Sequence, residues 1–138
     1  MKRNEPISRI MTSEPLTIHT GQKVSDARKV MADGGFHHVP VISGKKLVGL
    51  LSTTDLLRAT SMATTDQDAS DAILDHTCTI VSLMQKAVVV LRANQTVREA
   101  VGVFAEGHIH SLPVVDDHEN LVGIVTTTDV LRYMQEQY

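Results

Sequence analysis

The chain has 138 residues, of which 42% are hydrophobic, and it carries a formal net charge of -3 at pH 7. This length suits one compact unit or two very small ones, and the charge balance does not indicate a nucleic-acid binder, although a local basic groove stays open. Trp is absent and aromatic residues make up only 3%, so the core must consist of aliphatic side chains and methionine. The single cysteine, Cys78, excludes an internal disulfide.

No targeting or membrane segment is expected from the sequence. Two basic residues near the N-terminus are followed by an acidic one and by no apolar stretch, which argues against a secretory signal peptide. The longest apolar runs, such as residues 87–91, are too short to span a bilayer. We therefore expect a soluble cytoplasmic protein without membrane contact.

Two copies of one sequence pattern cover the chain. Four landmarks recur 73 residues later and two recur 74 residues later. The pairs are Met11 and Met84, Val24 and Val97, Ala27 and Ala100, Pro40 and Pro113, then Gly49 and Gly123, Asp55 and Asp129. The extra residue falls in the polar stretch 116–120, which corresponds to residues 43–46 and which we predict to be a hairpin turn.

The same elements are predicted in the same order in both copies. A short helical turn (7–11 and 80–84) is followed by an extended segment, a turn and an amphipathic helix from Val24 or Val97 that glycine ends. A β-branched strand, a polar turn, a returning strand and a helix near Asp55 or Asp129 complete the copy. The predicted fold class is therefore mixed α/β, of the α+β kind, with two units that are each roughly βαββα.

Each copy is small, and a unit of about 55–60 residues buries only a marginal core by itself. We therefore expect the two copies to pack through their sheets with pseudo-two-fold symmetry. The first unit is placed in residues 1–60, a polar linker in 61–78 and the second unit in 79–138. The low apolar content of the linker predicts an exposed segment, helical from about Asp66, with a solvated acidic face over residues 66–75.

The paired patterns resemble a tandem pair of CBS domains, also called a Bateman module. The resemblance rests on the motifs 10–12 and 83–85, on the strands around Pro40 and Pro113, and on the blocks 49–55 and 123–129. It runs from about Pro6 to Tyr133 and implies a stand-alone pair. It also implies a disc-shaped homodimer of two pairs, whose interface the helices supply. Those helices begin near Val24, Asp55, Val97 and Asp129.

The resemblance implies a non-catalytic, regulatory and energy-sensing module. Its ligand would be an adenosine nucleotide or derivative, such as AMP, ADP, ATP or S-adenosylmethionine, bound in two clefts between the units. The nucleotide would act as a regulatory ligand, with no cofactor and no metal required. An unknown effector protein would then respond to the change in the module.

The first implied cleft is centred on Asp129, whose carboxylate would bind the ribose hydroxyls because charge-assisted hydrogen bonds suit a vicinal diol. The hydroxyls of Thr126 and Thr128 would reach ribose or phosphate. The base pocket would be lined by Thr12, Thr17, Phe36, His37 and Ile124. The implied set is Thr12, Thr17, Phe36, His37, His38, Ile124, Thr126, Thr128 and Asp129.

The second implied cleft is the counterpart of the first, and His110 has the position of a phosphate-contacting histidine in some family members. Its implied set is Leu50, Ser52, Thr54, Asp55, Gln85, Val90, Ile109 and His110. Because Gln85 and Val90 replace Thr12 and Thr17, we expect the cleft with Asp129 to bind the ligand more strongly.

Structural alternatives exist for these residues. Asp55 and Asp129 are also suited to be helix N-caps, and the threonines near Asp129 could be strand-end hydroxyls that contact no ligand. Gly49 and Gly123 indicate a turn or a close backbone approach. Histidines recur at equivalent places, at 37–38 and at 108 and 110, but no recognised metal-ligand spacing accompanies them.

Other functions are weighed against the nucleotide sensor. A ligand-free module for protein interaction and dimerisation is the main alternative. Nucleic-acid binding has only scattered Lys and Arg residues in its favour. Enzyme activity is not expected, since the sequence contains no recognised catalytic motif and Cys78 has only His76 beside it.

Overall fold

The computed structural model describes residues 4–59 and 67–138. Over these ranges the helices are a 3-10 helix at Ile7–Arg9, α1 Val24–Gly34, α2 Thr53–Ala59, α3 Gln67–Thr77, α4 Ile80–Leu83, α5 Val97–Phe104 and α6 Thr127–Gln137. The strands are β1 Thr12–Ser13, β2 Ile18–His19, β3 His38–Ser43, β4 Lys46–Ser52, β5 Leu91–Arg92, β6 Ser111–Val115 and β7 Leu121–Thr126. The mixed α/β class and the repeated order of elements are confirmed.

The chain forms two compact units. The continuous unit comprises Leu16–Val88, and the split unit comprises Met1–Pro15 together with Val89–Tyr138. Each unit therefore takes its short helical turn from the other sequence repeat, so that Ile80 is buried in the continuous unit and Ile7 in the split unit. The predicted boundary between residues 60 and 61 lies outside the described residues.

Proline limits the parallel pairing in both sheets. In the continuous unit the strand order is β2-β3-β4, and β2 pairs in parallel only with Val41 and Ile42. These two residues follow Pro40, which has no N–H to offer to a neighbouring strand. In the split unit, whose order is β1-β7-β6-β5, β5 likewise pairs only with the two residues after Pro113. The parallel ladders are therefore only two residues long.

The two antiparallel hairpins, β3–β4 and β6–β7, differ in the length of their turns. This turn is where the sequence places the extra residue of the second copy. The turn between β3 and β4 is short and contains Gly44 at φ 65°. The turn between β6 and β7 is longer, and Asp116 accepts hydrogen bonds there from the N–H groups of His118 (2.8 Å) and Asn120 (2.9 Å). These bonds, the one from Asn120 most of all, hold the pKa of Asp116 below its ordinary value. The prediction that the insertion lies in a hairpin turn is confirmed.

Each unit has a core that is aliphatic apart from Tyr133 in the split unit. The continuous unit buries Ile18, Val24, Ala27, Met31, Val39, Val41, Leu51, Leu56, Leu74 and Ile80. The split unit buries Ile7, Leu91, Val97, Ala100, Leu112, Val114, Val125, Val130 and Tyr133. Among the described residues, no helix combines the length and the apolar character that a membrane span requires.

The linker helix α3 is not the exposed segment that the sequence predicts. Leu74 is only 1% exposed and belongs to the core of the continuous unit. Because Ile73 and Leu74 are adjacent apolar residues in an otherwise polar stretch, sequence periodicity does not show that Leu74 is buried. The predicted helix itself is confirmed from Gln67 onward, whereas its predicted start at Asp66 lies outside the described residues.

Two carboxylates of α3 bind α1, so the prediction of a solvated acidic face is wrong for them. The Arg28 guanidinium donates two hydrogen bonds, of 2.7 and 2.6 Å, to Asp71. The N–H and hydroxyl of Ser25 donate to Asp75 at 2.9 and 2.6 Å. A bidentate pair between arginine and a carboxylate is geometrically specific, so these bonds fix the rotation of α3 against α1.

Replacement of Leu74 tests whether α3 is part of the core. Leu74→Ala is expected to lower the free energy of unfolding by about 2–5 kcal/mol, because it removes buried methyl groups and leaves a cavity. The measurement is urea denaturation followed by circular dichroism. Ile73→Ala is the matched control, because Ile73 is 48% exposed on the same helix and its truncation should change stability by less than about 0.5 kcal/mol. Equal losses in the two variants would contradict the burial of Leu74.

Candidate functional site

A strand-to-helix junction with reciprocal hydrogen bonds recurs in each unit. In the split unit, β7 ends at Thr126, which is the N-cap of α6, and Asp129 is the third helical residue. The Thr126 N–H donates to Oδ2 of Asp129 at 2.9 Å, and the Asp129 N–H donates to the Thr126 hydroxyl oxygen at 3.1 Å. This capping box satisfies N–H groups that a helix N-terminus would otherwise leave without acceptors.

The junction of the continuous unit uses one more hydrogen bond. The N–H and the hydroxyl of Ser52 both donate to Oδ2 of Asp55, at 2.9 and 2.8 Å, and the Asp55 N–H donates back to Ser52 at 3.1 Å. The Ser52 hydroxyl hydrogen is thus committed to Asp55. In contrast, no acceptor for the Thr126 hydroxyl hydrogen occurs within residues 4–59 and 67–138.

The alternative that Asp55 and Asp129 are helix N-caps is wrong. Thr126 is the N-cap of α6, and Ser52 makes the same bonds at the start of α2, so both aspartates lie three residues further on. The sequence carries a signal for this arrangement, since a hydroxyl residue followed three positions later by an acidic residue is typical of a capping box. Both carboxylates therefore have a structural role.

The second oxygen of each carboxylate faces an arginine one helical turn away. Oδ1 of Asp129 lies 3.6 Å from Arg132, and Oδ1 of Asp55 lies 3.8 Å from Arg58. Both arginine side chains are largely exposed, so these pairs are weak. The Asp129 side chain is 14% exposed, against 6% for Asp55, which makes the Asp129 carboxylate the more accessible of the two. The two arginines did not stand out in the sequence.

A histidine is tied to each junction through its backbone. The carbonyl of His110 accepts the N–H of Thr127 at 3.0 Å, and the carbonyl of His37 accepts the N–H of Thr53 at 2.9 Å. Both histidine side chains are exposed. The first residue of each helix thus fixes the loop that carries the histidine.

A further strand segment lies beside each junction strand. Thr12 on β1 is paired with Ile124 on β7. In the continuous unit, Leu50 and Gln85 exchange two backbone hydrogen bonds of 2.9 and 2.8 Å. The structure therefore gathers part of each predicted set within one unit.

The remaining residues of each predicted set belong to the other unit. Thr17, Phe36, His37 and His38 of the first set are in the continuous unit, and Val90, Ile109 and His110 of the second set are in the split unit. Thr54 and Thr128 are exposed in the first turn of α2 and α6.

Gly49 and Gly123 permit a close approach of the backbone, which decides between the two alternatives for these glycines. A Cβ atom at Gly49 would lie 2.5 Å from the Met84 sulfur and 3.0 Å from the Gln85 carbonyl oxygen. A Cβ atom at Gly123 would lie 2.5 Å from the Met11 sulfur and 3.0 Å from the Thr12 carbonyl oxygen. Glycine is therefore required where each strand passes the segment taken from the other repeat.

The histidines do not assemble a metal centre in the part of the chain that the structure describes. No group of three or more His, Cys, Asp or Glu side chains is placed there so that it could hold a metal ion.

The repeated unit is matched by a known protein family. The family model of the CBS domain matches residues 7–61 and again residues 80–136. The chain belongs to the CBS domain family. It is a tandem pair of CBS domains, as the sequence resemblance implies, and both copies of the junction lie within the matched ranges.

Curated relatives of this CBS pair are longer proteins. Protein MJ1225 of Methanocaldococcus jannaschii is 26% identical, over 94% of this chain and 47% of that protein. Homoserine O-acetyltransferase of Methanohalobium evestigatum is 27% identical, over 94% of this chain and 24% of the enzyme. The CBS pair thus spans about half or less of these relatives.

Solved structures of similar CBS pairs contain adenosine compounds. CBSX2 of Arabidopsis thaliana, in complex with AMP, is 26% identical with a TM-score of 0.79, covering 96% of this chain and 98% of that one. The CBS domain pair of protein MJ0100, in complex with 5'-methylthioadenosine and S-adenosylmethionine, is 25% identical with a TM-score of 0.76 and the same coverage.

The close approach at Gly49 is open to a direct test. Gly49→Ala is expected to lower the free energy of unfolding by about 1–3 kcal/mol, because the Gln85 carbonyl cannot move aside without breaking the hydrogen bond that it accepts from the Leu50 N–H. The measurement is the chemical denaturation midpoint. Gly21→Ala is the matched control in the same unit, since a Cβ there meets no atom within 4 Å. A Gly49→Ala variant as stable as this control would rule out the constraint.

Proposed function

We propose that this CBS pair is a regulatory module that binds an adenosine nucleotide or derivative, namely AMP, ADP, ATP or S-adenosylmethionine. The observation that carries the proposal is that two similar CBS pairs bind adenosine compounds in their solved structures. One binds AMP, and the other binds 5'-methylthioadenosine and S-adenosylmethionine. These ligands share an adenosine group, so the proposal rests on recognition of adenine and ribose rather than of phosphate.

The Asp129 carboxylate has the chemistry that a ribose diol requires. Its Oδ2 atom accepts the N–H of Thr126, whereas Oδ1 faces the exposed side chain of Arg132 at 3.6 Å. A carboxylate oxygen can accept hydrogen bonds from hydroxyl groups, and bonds to a charged acceptor are the stronger kind. The hydroxyl hydrogen of Thr126 offers a donor to the same ligand. The N-terminus of α6, with 11 residues, favours a phosphate if one is present.

The site centred on Asp129 is proposed to be the stronger of two. At Asp55 both the N–H and the hydroxyl of Ser52 already occupy Oδ2, and the side chain is only 6% exposed. A ligand at Asp55 would therefore compete with two intramolecular donors at Oδ2, whereas a ligand at Asp129 would compete there with one, the N–H of Thr126.

Both complete residue sets remain part of the proposal. The stronger set is Thr12, Thr17, Phe36, His37, His38, Ile124, Thr126, Thr128 and Asp129. The weaker set is Leu50, Ser52, Thr54, Asp55, Gln85, Val90, Ile109 and His110. We assign no catalytic role to either set, since this chain matches only 24% of the enzyme among the named relatives. A role in reading nucleotide levels would place the protein in the cytoplasm.

Asp129→Asn separates the ligand role of the carboxylate from its capping role. The amide oxygen can still accept the Thr126 N–H, so stability should change by less than about 1 kcal/mol. Loss of the charged acceptor should weaken nucleotide binding by about 10- to 100-fold. Isothermal titration with AMP, ADP, ATP and S-adenosylmethionine measures the affinity, and thermal unfolding measures the stability.

Asp117→Asn is the control for net charge, because Asp117 is an exposed turn residue outside both sets. Its affinity should equal that of the unmodified protein, and Asp55→Asn should cause a smaller loss than Asp129→Asn. If none of the four ligands binds the unmodified protein or raises its melting temperature, the sensor is rejected in favour of a ligand-free interaction module.

A homodimer of CBS pairs is part of the proposal, through α1, α2, α5 and α6. In the split unit, α5 and α6 expose large apolar side chains, with Leu131 64% and Val101 41% exposed. Exposed apolar side chains of neighbouring helices are typical of an interaction surface. A ligand that prefers one state of this dimer would change the surface offered to an effector protein.

Leu131→Lys is expected to convert the dimer to a monomer, because it places a charge where an apolar side chain would be buried. Light scattering coupled to size exclusion measures the mass. Ile73→Lys, at an exposed apolar residue on α3, should leave the dimer intact. A monomer for the unmodified protein at micromolar concentration, or an intact dimer for Leu131→Lys, would contradict this interface.

A further inference from the structure

The C-terminus of α1 fixes the backbone of Phe36. Gly35 is in the left-handed region, at φ 68° and ψ 25°, and its N–H donates to the carbonyl of Ala32 at 3.4 Å. The N–H of Phe36 donates to the carbonyl of Met31 at 2.9 Å. Together these bonds form the Schellman motif, in which glycine ends a helix and the next residue turns back toward the last helical turn. The helix end therefore fixes the backbone position from which the Phe36 side chain extends.

The ring of Phe36 lies over Gly34. A Cβ atom at Gly34 would overlap the ring atom Cε2 and would lie 2.5 Å from Cδ2 and 3.0 Å from Cζ. The backbone of Gly34 is not in the left-handed region, so its conformation does not require glycine. The ring occupies the space that a side chain at position 34 would fill, so such a side chain would have to displace the ring. Phe36 is nevertheless 43% exposed, so the ring is accessible to a ligand.

The second repeat lacks this arrangement. The residues equivalent to Gly34 and Phe36 are Gly107 and Ile109. The helix α5 already ends at Phe104, and Gly107 has a φ of 84°, so its glycine serves the backbone conformation. An aromatic side chain held against a helix end therefore occurs in the first repeat and an aliphatic one takes its place in the second.

We infer that Gly34 is a positioning residue, which holds the ring of Phe36 as a flat contact surface for the adenine base. This inference rests on the proposed binding of an adenosine nucleotide. An aromatic ring contacts a base through its face and requires no hydrogen bond, so its contribution depends on where the ring lies. Gly34 sets that place without touching the ligand. The two nucleotide sites then differ in their contact with the base, because Phe36 in the first repeat is replaced by Ile109 in the second.

Gly34→Ala is the first test. The added methyl group must displace the ring, so AMP should bind about 3- to 30-fold more weakly in isothermal titration. The ring is a movable side chain and alanine favours a helix, so the thermal midpoint should not fall. Gly102→Ala is the matched control, because Gly102 lies within α5 and a Cβ there meets no atom within 4 Å. This control should bind AMP as the unmodified protein does.

A double-mutant cycle shows whether Gly34 acts through the ring. Phe36→Ala should weaken AMP binding by about 5- to 100-fold, as expected for loss of a base–aromatic contact. Adding Gly34→Ala to that variant should cause no further loss, since no ring is left to displace. Losses that add independently would overturn the inference. Phe36→Leu gives a second variant with the helix end unchanged, and it must also weaken binding.

The ring position can be measured without any ligand. The chain has only two phenylalanines, so ring-labelled protein gives a simple NMR spectrum. Contacts between the Phe36 ring protons and the Gly34 α-protons should be observed in the unmodified protein and lost in Gly34→Ala. Their absence from the unmodified protein overturns the inference.

Failure of the inference and failure of the proposed function give different results. If the unmodified protein binds AMP and Gly34→Ala binds it equally well, the positioning role is rejected and nucleotide binding stands. If the unmodified protein binds no adenosine compound, the proposed function is rejected and the positioning role with it.

Discussion

One carboxylate oxygen at each strand-to-helix junction holds the last strand residue to the third residue of the helix. At Asp129 this oxygen accepts the N–H of Thr126, and the helix returns a hydrogen bond to the threonine hydroxyl. The bond fixes where β7 ends and α6 begins, and it leaves the second oxygen of the carboxylate for other partners. The same side chain can therefore stabilise the fold and present an acceptor, because a carboxylate has more lone pairs than a cap consumes.

The repeated pattern made most of the fold predictable from the sequence. Two copies in one register predict the same order of strands and helices, and the structure has that order because the apolar spacing around Val24, Val97 and their neighbours is shared. The sequence also carries the pattern of the capping boxes, since Ser52 and Thr126 each precede an aspartate by three residues. They were not predicted because the aspartates alone already suited an N-cap.

Contacts between residues far apart in sequence are the part of the fold that the hydrophobic periodicity does not predict. The bond between Arg28 and Asp71 joins residues 43 positions apart in sequence, and Leu74 is buried in a core that includes residues of α1. The contact between Phe36 and Gly34 is local, but a pair of glycines at the end of a helix predicts only where the helix ends and not the place of the following ring. Both features are set by geometry around the backbone rather than by residue type alone.

Because the units exchange their short helical turns, their cores become complete at different stages of synthesis. The continuous unit is complete once Val88 has been made, so all of its core is available while the rest of the chain is still being added. The split unit must wait for β7 and α6, and until then Ile7 and the other apolar residues near the N-terminus have no core to enter. A folding order is thus built into the topology, with one unit formed early and the other closed by the last strand and helix.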